Sequence, residues 1–208
     1  MTGATNTGAS NANPYPLSFT AASARQADTL VLARSYLACG DWQEVRRQVE
    51  EDNLLVFNSS GTAARVASEL VKRLQTLSQE ELAFLVHSVD DDTHAMLWTA
   101  ICRTYPFMRE LSEQLVAGRW DDMKRTLPGQ ALDAFMEEQE LQHEELARTS
   151  AGTKAKLRSN ALAMLRDCKL RARDGTITPL YPSGRFVELI RTNRPEDLRL
   201  FPRVGALL

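Results

Sequence analysis

The sequence predicts a mainly α-helical protein with one short β-hairpin near its C-terminal end. Two observations favour this class. Apolar residues recur every three or four positions through most of the chain, and alternation at every second position is confined to one short stretch. The 208 residues, 43% apolar and 25% charged, are typical of a globular protein and exclude a disordered chain, a collagen or a coiled-coil rod. No apolar run approaches the roughly 20 residues that a membrane span needs.

The first 16 residues are predicted to form a flexible arm. They are mostly Thr, Gly, Ala, Ser, Asn and Pro and carry no charged side chain. Such a segment buries too little apolar surface to offset the entropy lost on ordering. It also lacks the basic start and apolar stretch of a secretion signal, so the expected location is cytoplasmic.

Residues 17–147 are predicted to form an acidic helical bundle. Gly40 marks the C-terminal end of its first long helix, and Asp41 caps the second. Ser78 and Glu81 have the spacing of a capping box at the start of a later helix. The helical periodicity of apolar residues then continues almost to the end of this region.

The run Asp90–Asp92 looks at first like a metal-binding loop. An EF-hand needs ligands at alternate positions, a central glycine and a glutamate at the twelfth position. Here no glycine intervenes, and Ile101 stands at the twelfth position. The aspartates are therefore interpreted as the N-terminal cap of the following helix. The three histidines and three cysteines form no metal-ligand spacing either, so neither a metal nor a cofactor is expected.

The charge of the chain divides sharply near residue 147. The formal net charge is only -2, yet residues up to Ala147 hold 12 Lys and Arg against 22 Asp and Glu, whereas residues from Arg148 onward hold 13 against 5. This asymmetry favours an anion-binding C-terminal region, with nucleic acid as the usual partner. The alternative is a basic helix that lies on an acidic domain of the same chain. A basic unit over 148–208 is therefore predicted after the bundle.

The basic unit begins with a predicted helix and continues as a cationic hairpin. Ser150 caps a helix over about 153–168, and residues 169–173 alternate cationic and apolar side chains as a half-buried strand does. Asp174-Gly175 is a strong hairpin turn, and a short return strand follows. A helix followed by such a hairpin is typical of a winged helix-turn-helix unit. There the helix lies in the major groove of DNA and the hairpin wing contacts the backbone.

The side chains of this unit suit a DNA-binding surface. Arg171 and Arg173 share one face of their strand, where they would grip phosphates, and Asn160 is placed to reach base edges. The alternative is a hairpin that completes the core and leaves its arginines solvated. The residues predicted to bind DNA are Lys154, Lys156, Arg158, Asn160, Arg166, Lys169, Arg171 and Arg173.

Several short stretches between about Tyr15 and Pro202 have an order and spacing similar to those of a known protein family. They are Leu17-Ser18-Phe19-Thr20, Asp41-Trp42, Glu51-Asp52-Asn53-Leu54-Leu55, Arg73-Leu74, Leu97-Trp98, Ile101-Cys102-Arg103-Thr104-Tyr105, His143-Glu144-Glu145-Leu146, Ser150 with Thr153-Lys154-Ala155-Lys156-Leu157, Met164-Leu165 and Phe201-Pro202. Together they make the chain resemble the BrxA family of bacteriophage-exclusion (BREX) defence systems.

The resemblance implies a mostly helical, cytoplasmic protein that binds double-stranded DNA within a multi-protein phage-defence system. Its helical part is expected to be similar in shape to the antitermination factor NusB, which keeps RNA binding open as an alternative. The family brings no catalytic motif, since methylation and ATP hydrolysis belong to other members of the system. The strongly cationic hairpin departs from the commoner acidic or neutral sequence of the family and favours backbone contact over base reading.

The residues themselves do not predict an enzyme. Walker, glycine-rich phosphate-binding and GxSxG motifs are absent. The segment Ser59-Ser60-Gly61-Thr62 lacks a following lysine, so it is interpreted as a helix cap and turn. The remaining alternative is a protein–protein adaptor of the defence complex, whose acidic helices dock a basic partner. The expected partners are double-stranded DNA and other BREX components, with no small-molecule substrate and no membrane.

Overall fold

Helices make up most of the protein. The computed structural model describes residues 15–57 and 59–204, and within them eleven α-helices follow one another. They are α1 (Gln26–Cys39), α2 (Trp42–Glu51), α3 (Ser60–Leu74), α4 (Gln79–His87), α5 (Asp90–Thr104), α6 (Pro106–Glu110), α7 (Gly118–Asp121), α8 (Gly129–Gln142), α9 (Glu144–Ala147), α10 (Ala151–Asp167) and α11 (Gly184–Asn193). A π-helical segment, Leu111–Ala117, joins α6 to α7, and short 3-10 helices span Ser18–Ala21 and Pro195–Leu200. The predicted mainly α-helical class is confirmed. None of the described helices is long and apolar enough to cross a membrane.

Local sequence signals set several helix boundaries, as predicted. Gly40 ends α1 in the left-handed conformation, at a φ of 71°. The Asp41 side chain accepts a backbone N–H from the first turn of α2 at 2.8 Å. The capping box of Ser78 and Glu81 is complete, with contacts of 2.7 and 3.2 Å. Ser150 accepts a backbone N–H at the start of α10.

The acidic run Asp90–Asp92 has only part of its predicted role. It lies in the first turn of α5, but Asp91 accepts the Tyr181 N–H at 2.7 Å and Asp92 accepts the Ser183 N–H at 2.6 Å. The prediction of a side-chain cap is therefore wrong for these two carboxylates, because they bind another part of the chain. They anchor the segment that leads into α11, and they still place negative charge at the positive end of the α5 dipole.

Helix α5 is the centre of the core. Every residue from Ala95 to Cys102 is buried, and α5 packs against α3, α4 and α6. The Trp98 indole N–H donates to the Ser112 hydroxyl at 2.7 Å, and that hydroxyl donates to the Leu200 carbonyl at 2.7 Å. Buried polar groups need such partners. The relay ties the π-helical segment and the C-terminal part of the chain to the central helix.

A buried ion cluster fastens the C-terminal segment to the bundle. The Arg103 side chain is 1% exposed and donates to both oxygens of Glu81 at 2.7 Å. It also donates to Asp197 at 2.6 Å, and Arg109 pairs with that same fully buried carboxylate. Buried charges are stable only when they are paired and hydrogen-bonded. The 3-10 helix that carries Asp197 is thus part of the same core as the helices before it.

Residues 148–204 pack onto the preceding helices. The rings of Phe186 on α11 and Phe84 on α4 lie 6.1 Å apart. Buried residues on both sides of the predicted boundary at Ala147 belong to one hydrophobic cluster. The division at Ala147 therefore marks a change of charge along the chain. That it is also a boundary between two domains stays a prediction.

Most of the predicted N-terminal arm lies outside the described residues, which begin at Tyr15. This tyrosine is only 4% exposed, and its hydroxyl donates to Glu110 at 2.7 Å. Its ring stacks on His143 at a centroid distance of 3.6 Å. His143 has an extended backbone that separates α8 from α9. The end of the predicted arm is thus packed against the helices.

Candidate nucleic-acid interface

Helix α10 presents its charged side chains away from the core. Leu157, Ala161 and Leu165 are buried on one side of the helix, at the four-residue spacing that keeps side chains on one face. The cationic side chains fall between these positions and form two groups, one near each end of the helix. The first group is Lys154, Lys156 and Arg158, and the second begins with Arg166.

Two cations of the first group are paired with acidic residues of α8. The Lys154 ammonium lies 2.8 Å from the Glu140 carboxylate. The Arg158 guanidinium lies 2.5 Å from the Asp133 carboxylate. All four side chains are partly exposed, so each pair contributes only about 0.2–1 kcal/mol. At this end of α10, the basic helix therefore lies on the acidic part of its own chain. This is the arrangement predicted from the sequence as the alternative to nucleic-acid binding.

The stretch after α10 forms a short hairpin that packs against the loop before α8. Its two arms are joined by an antiparallel bridge between Arg171 and Ile177. The strand predicted over residues 169–173 is wrong in extent, because within it only Arg171 forms a β-bridge. The turn uses Gly175 at a φ of 93°, a conformation that favours glycine. Residues 125–127 cover the outer edge of the return arm, and the Leu127 N–H donates to the Gly175 carbonyl at 2.7 Å. The turn is therefore fixed by the bundle.

The Arg171 side chain ties the hairpin to the loop before α8. Its Nε donates to the Leu127 carbonyl at 3.1 Å. Partial burial, followed by the positive charge of Arg166, lowers the pKa of Arg171. The guanidinium still remains charged. The second of these causes reflects the positive charge that gathers where α10 ends and the hairpin begins.

The end of α10, the hairpin and the segment leading into α1 enclose a cleft of about 620 Å³. Lys169 takes a left-handed backbone conformation directly after α10, at a φ of 59°, where the chain turns into the hairpin. The cationic residues lining the cleft are Arg25, Arg166, Lys169, Arg171 and Arg173. Arg166, Lys169 and Arg173 are exposed, and within the described part of the chain their side chains form no ion pair. These three are available to an external anion.

Side chains from the N-terminal half of the chain also line the cleft. They are Ser23, Gln26 and His94, together with Arg25. Among the described lining residues, Asp167 is the only acidic one. Its carboxylate accepts the Ala24 N–H at 3.4 Å and so joins segments 143 positions apart. Sequence reasoning missed this contribution, because no local pattern relates these residues to a hairpin so much later in the chain.

The structure brings together four of the eight residues predicted to bind DNA, namely Arg166, Lys169, Arg171 and Arg173. The other four lie earlier on α10. Lys154 and Arg158 are engaged by α8. Lys156 is exposed and Asn160 is half-buried, and neither is among the described residues that line the cleft.

The arrangement is suited to an anion with several charges. Of the five cations that line the cleft, Arg25 is paired with Asp28, and the other four supply N–H donors for several phosphate oxygens. Charge-assisted hydrogen bonds of this kind are strong. Duplex DNA presents one phosphate about every 1.7 Å along its axis. Within the described ranges, no group of three or more His, Cys, Asp and Glu side chains lies close enough to hold a metal ion.

A family profile and one relative of this chain indicate the same family. The sequence profile of the BrxA family matches residues 13–194. A relative, the BREX protein BrxA of Escherichia coli O9:H4 (strain HS), is 25% identical over 138 residues, which cover 66% of this chain and 65% of that protein. The chain thus aligns with slightly less than two thirds of the length of this relative.

The fold has a counterpart among solved structures. The crystal structure of an uncharacterized protein from Magnetospirillum magneticum superimposes on this chain with a TM-score of 0.79, and the match covers 90% of this chain and 98% of that chain. At 16% sequence identity, this likeness concerns the fold alone. Because the family profile matches well over half of the chain, this protein belongs to the BrxA family.

Proposed function

We propose that this protein is a non-catalytic component of a BREX-type phage-defence system that binds double-stranded DNA in the cytoplasm, beside other BREX components. Membership of the BrxA family supports the setting. One observation carries the DNA binding: the cleft in which exposed Arg166, Lys169 and Arg173 stand beside Arg171.

In this proposal, α10 and the hairpin act as a winged-helix-like unit on a NusB-like bundle. The cleft cations grip the phosphate backbone, so unrelated duplexes should bind with similar affinity, because phosphate contacts carry no direct sequence information. Lys156 and Asn160 are assigned secondary contacts along α10. Lys154 and Arg158 would join only after leaving their carboxylate partners on α8.

Fluorescence anisotropy of labelled duplexes tests the proposal. The affinity should fall steeply as the salt concentration rises, because each neutralised phosphate contributes about -0.9 to the slope of log K against log salt. Two duplexes of unrelated sequence should give similar curves. An absence of binding at low salt, or an affinity indifferent to salt, would contradict the proposed function.

The double variant K169E/R173E tests whether the cleft is the binding surface. Both side chains are exposed, so the fold should persist, and its circular dichroism should match that of the natural chain. We expect DNA affinity to fall by about 30-fold or more, since two charge-assisted contacts are lost and two repulsions are added. The matched control is R34E/R65E, which makes the same charge change at exposed positions of α1 and α3 outside the cleft. Equal losses in both variants would reject the cleft.

A protein–protein adaptor is the second candidate, and one feature favours it. Leu141 on α8 is 89% exposed, and Glu137, Glu138 and Glu144 nearby on α8 and α9 are exposed as well. An exposed apolar side chain among acidic residues suits a basic protein partner. An adaptor without DNA binding predicts no anisotropy change with any duplex. Stronger competition by an RNA hairpin of equal length would instead indicate RNA as the ligand.

A further inference from the structure

His94 lies in the cleft with an unusual hydrogen-bond pattern. Its Nδ1 is buried and has no hydrogen-bond partner within the described residues. The residue as a whole is half-buried and lines the cleft. Buried polar atoms nearly always have a partner, so an orphaned nitrogen beside a cationic cleft needs an explanation.

The burial of Nδ1 selects one tautomer of the ring. A neutral imidazole carries its single proton on either Nδ1 or Nε2. A proton on Nδ1 would leave a buried N–H without an acceptor, and orphaned buried donors are rarer than under-satisfied acceptors. The proton therefore resides on Nε2. Because His94 lines the cleft and none of the described hydrogen bonds uses its Nε2, we infer that this N–H is left for a ligand of the cleft.

We propose that His94 is a further phosphate-binding residue, which donates from Nε2 to a backbone phosphate held by the cleft cations. This inference rests on the proposed DNA binding. The charged groups that line the cleft with it are Arg25 before α1, Arg166 and Asp167 at the end of α10, Lys169 after it, and Arg171 and Arg173 in the hairpin. These cations already supply the long-range attraction. A single N–H donor adds direction, since its hydrogen bond fixes where one phosphate oxygen sits.

The position of His94 on α5 strengthens this role. α5 is the central helix of the core, and the residues directly after His94 are buried. A donor on such a rigid element keeps its geometry, whereas exposed lysine and arginine side chains lose rotamer freedom when they bind. His94 therefore fixes the position of one phosphate, and the more flexible cationic side chains adjust to that position.

The variants H94F and H94Q test this inference in the full chain. Phenylalanine keeps the ring and removes the donor, whereas glutamine keeps an N–H donor. Affinity for a labelled duplex is measured by anisotropy over a salt series at about pH 8, where free imidazole is neutral. We expect H94F to weaken binding about five- to tenfold at every salt concentration. The salt slope should stay unchanged, because no charge is removed. H94Q should stay within about twofold of the natural chain.

The matched control is H87F. His87 is an exposed histidine on α4 that does not line the cleft among the described residues, so H87F should leave DNA affinity unchanged. H94A, which removes the donor without adding an aromatic ring, must lose as much affinity as H94F. A thermal melt of each variant checks that it is folded.

Several results would overturn the role of His94. One is natural affinity in both H94F and H94A, and another is an equal loss in H94Q. If H94F lowered the slope of log K against log salt by the amount expected for about one phosphate contact, His94 would act as a charged contact instead. If K169E/R173E loses binding and the His94 variants do not, only this inference fails. If the natural chain binds no duplex, the proposed function fails first and this inference falls with it.

Discussion

The two ends of α10 carry similar charge and use it differently. Near the N-terminal end, Lys154 and Arg158 are paired with carboxylates of α8. Near the C-terminal end, Arg166 joins the hairpin cations around a cleft whose described lining contains a single carboxylate, Asp167. The neighbours in space therefore decide which cations are available to a ligand. A count of charges along the sequence locates the basic region, and the tertiary partners locate the site within it.

The variant K154E/R158E is the direct counterpart of K169E/R173E at the other end of the helix. It replaces two attractions to Glu140 and Asp133 with two repulsions, so we expect the free energy of unfolding to fall by about 1–2 kcal/mol. DNA affinity should change by less than about threefold. Urea denaturation and anisotropy measure the two effects.

The same two variants can also contradict the conclusion that the two ends of α10 differ in function. If K154E/R158E loses as much DNA affinity as K169E/R173E while remaining folded, the two ends of α10 bind DNA equally. The ion pairs with α8 would then open on binding.

Removing the carboxylates instead of the cations should extend the binding surface. The variant D133N/E140Q frees Lys154 and Arg158 and keeps polar side chains on α8. We expect DNA affinity to rise about threefold. The slope of log K against log salt should steepen by the amount expected for up to about two further phosphate contacts. A salt titration of the variant beside the natural chain measures both. An unchanged slope would show that this end of α10 lies away from the DNA.

The smallest expected effect concerns Asp167, the carboxylate within the cleft. D167N removes a negative charge that repels phosphate and keeps an oxygen to accept the Ala24 N–H. We expect affinity to rise about twofold, and most clearly at low salt, where exposed charges are least screened. Anisotropy at two ionic strengths measures this. A lower affinity would show that the charged form of Asp167 is needed to hold the segment before α1 in place.

The helix boundaries were predictable because their signals are local. Gly40, Asp41 and Ser150 each act on the backbone of residues a few positions away. The hairpin turn at Gly175 is another such signal, since the backbone conformation there favours glycine. Nothing about distant parts of the chain is needed to interpret these residues.

The composition of the cleft was only half predictable, because the rest depends on contacts between distant segments. Nothing in the sequence of α10 indicates that Arg158 meets Asp133, 25 positions earlier, or that His94 joins the cleft. Helix α11 was missed as well, although Phe186 and Ile190 give it a buried side. The region 148–208 was interpreted as a helix and hairpin alone, and that motif leaves no place for a further helix.

Asp197 ties the segment after α11 to two helices of the core. Arg103 on α5 pairs with both Asp197 and Glu81, and Arg109 on α6 pairs with both Asp197 and Glu113. The nearby Leu200 carbonyl accepts from the Ser112 hydroxyl. Without the Asp197 carboxylate, each guanidinium would keep only one acidic partner, a costly change for charges in the interior of the molecule. A single carboxylate therefore links the segment after α11 to α5 and α6 together, and its loss would loosen both attachments at once.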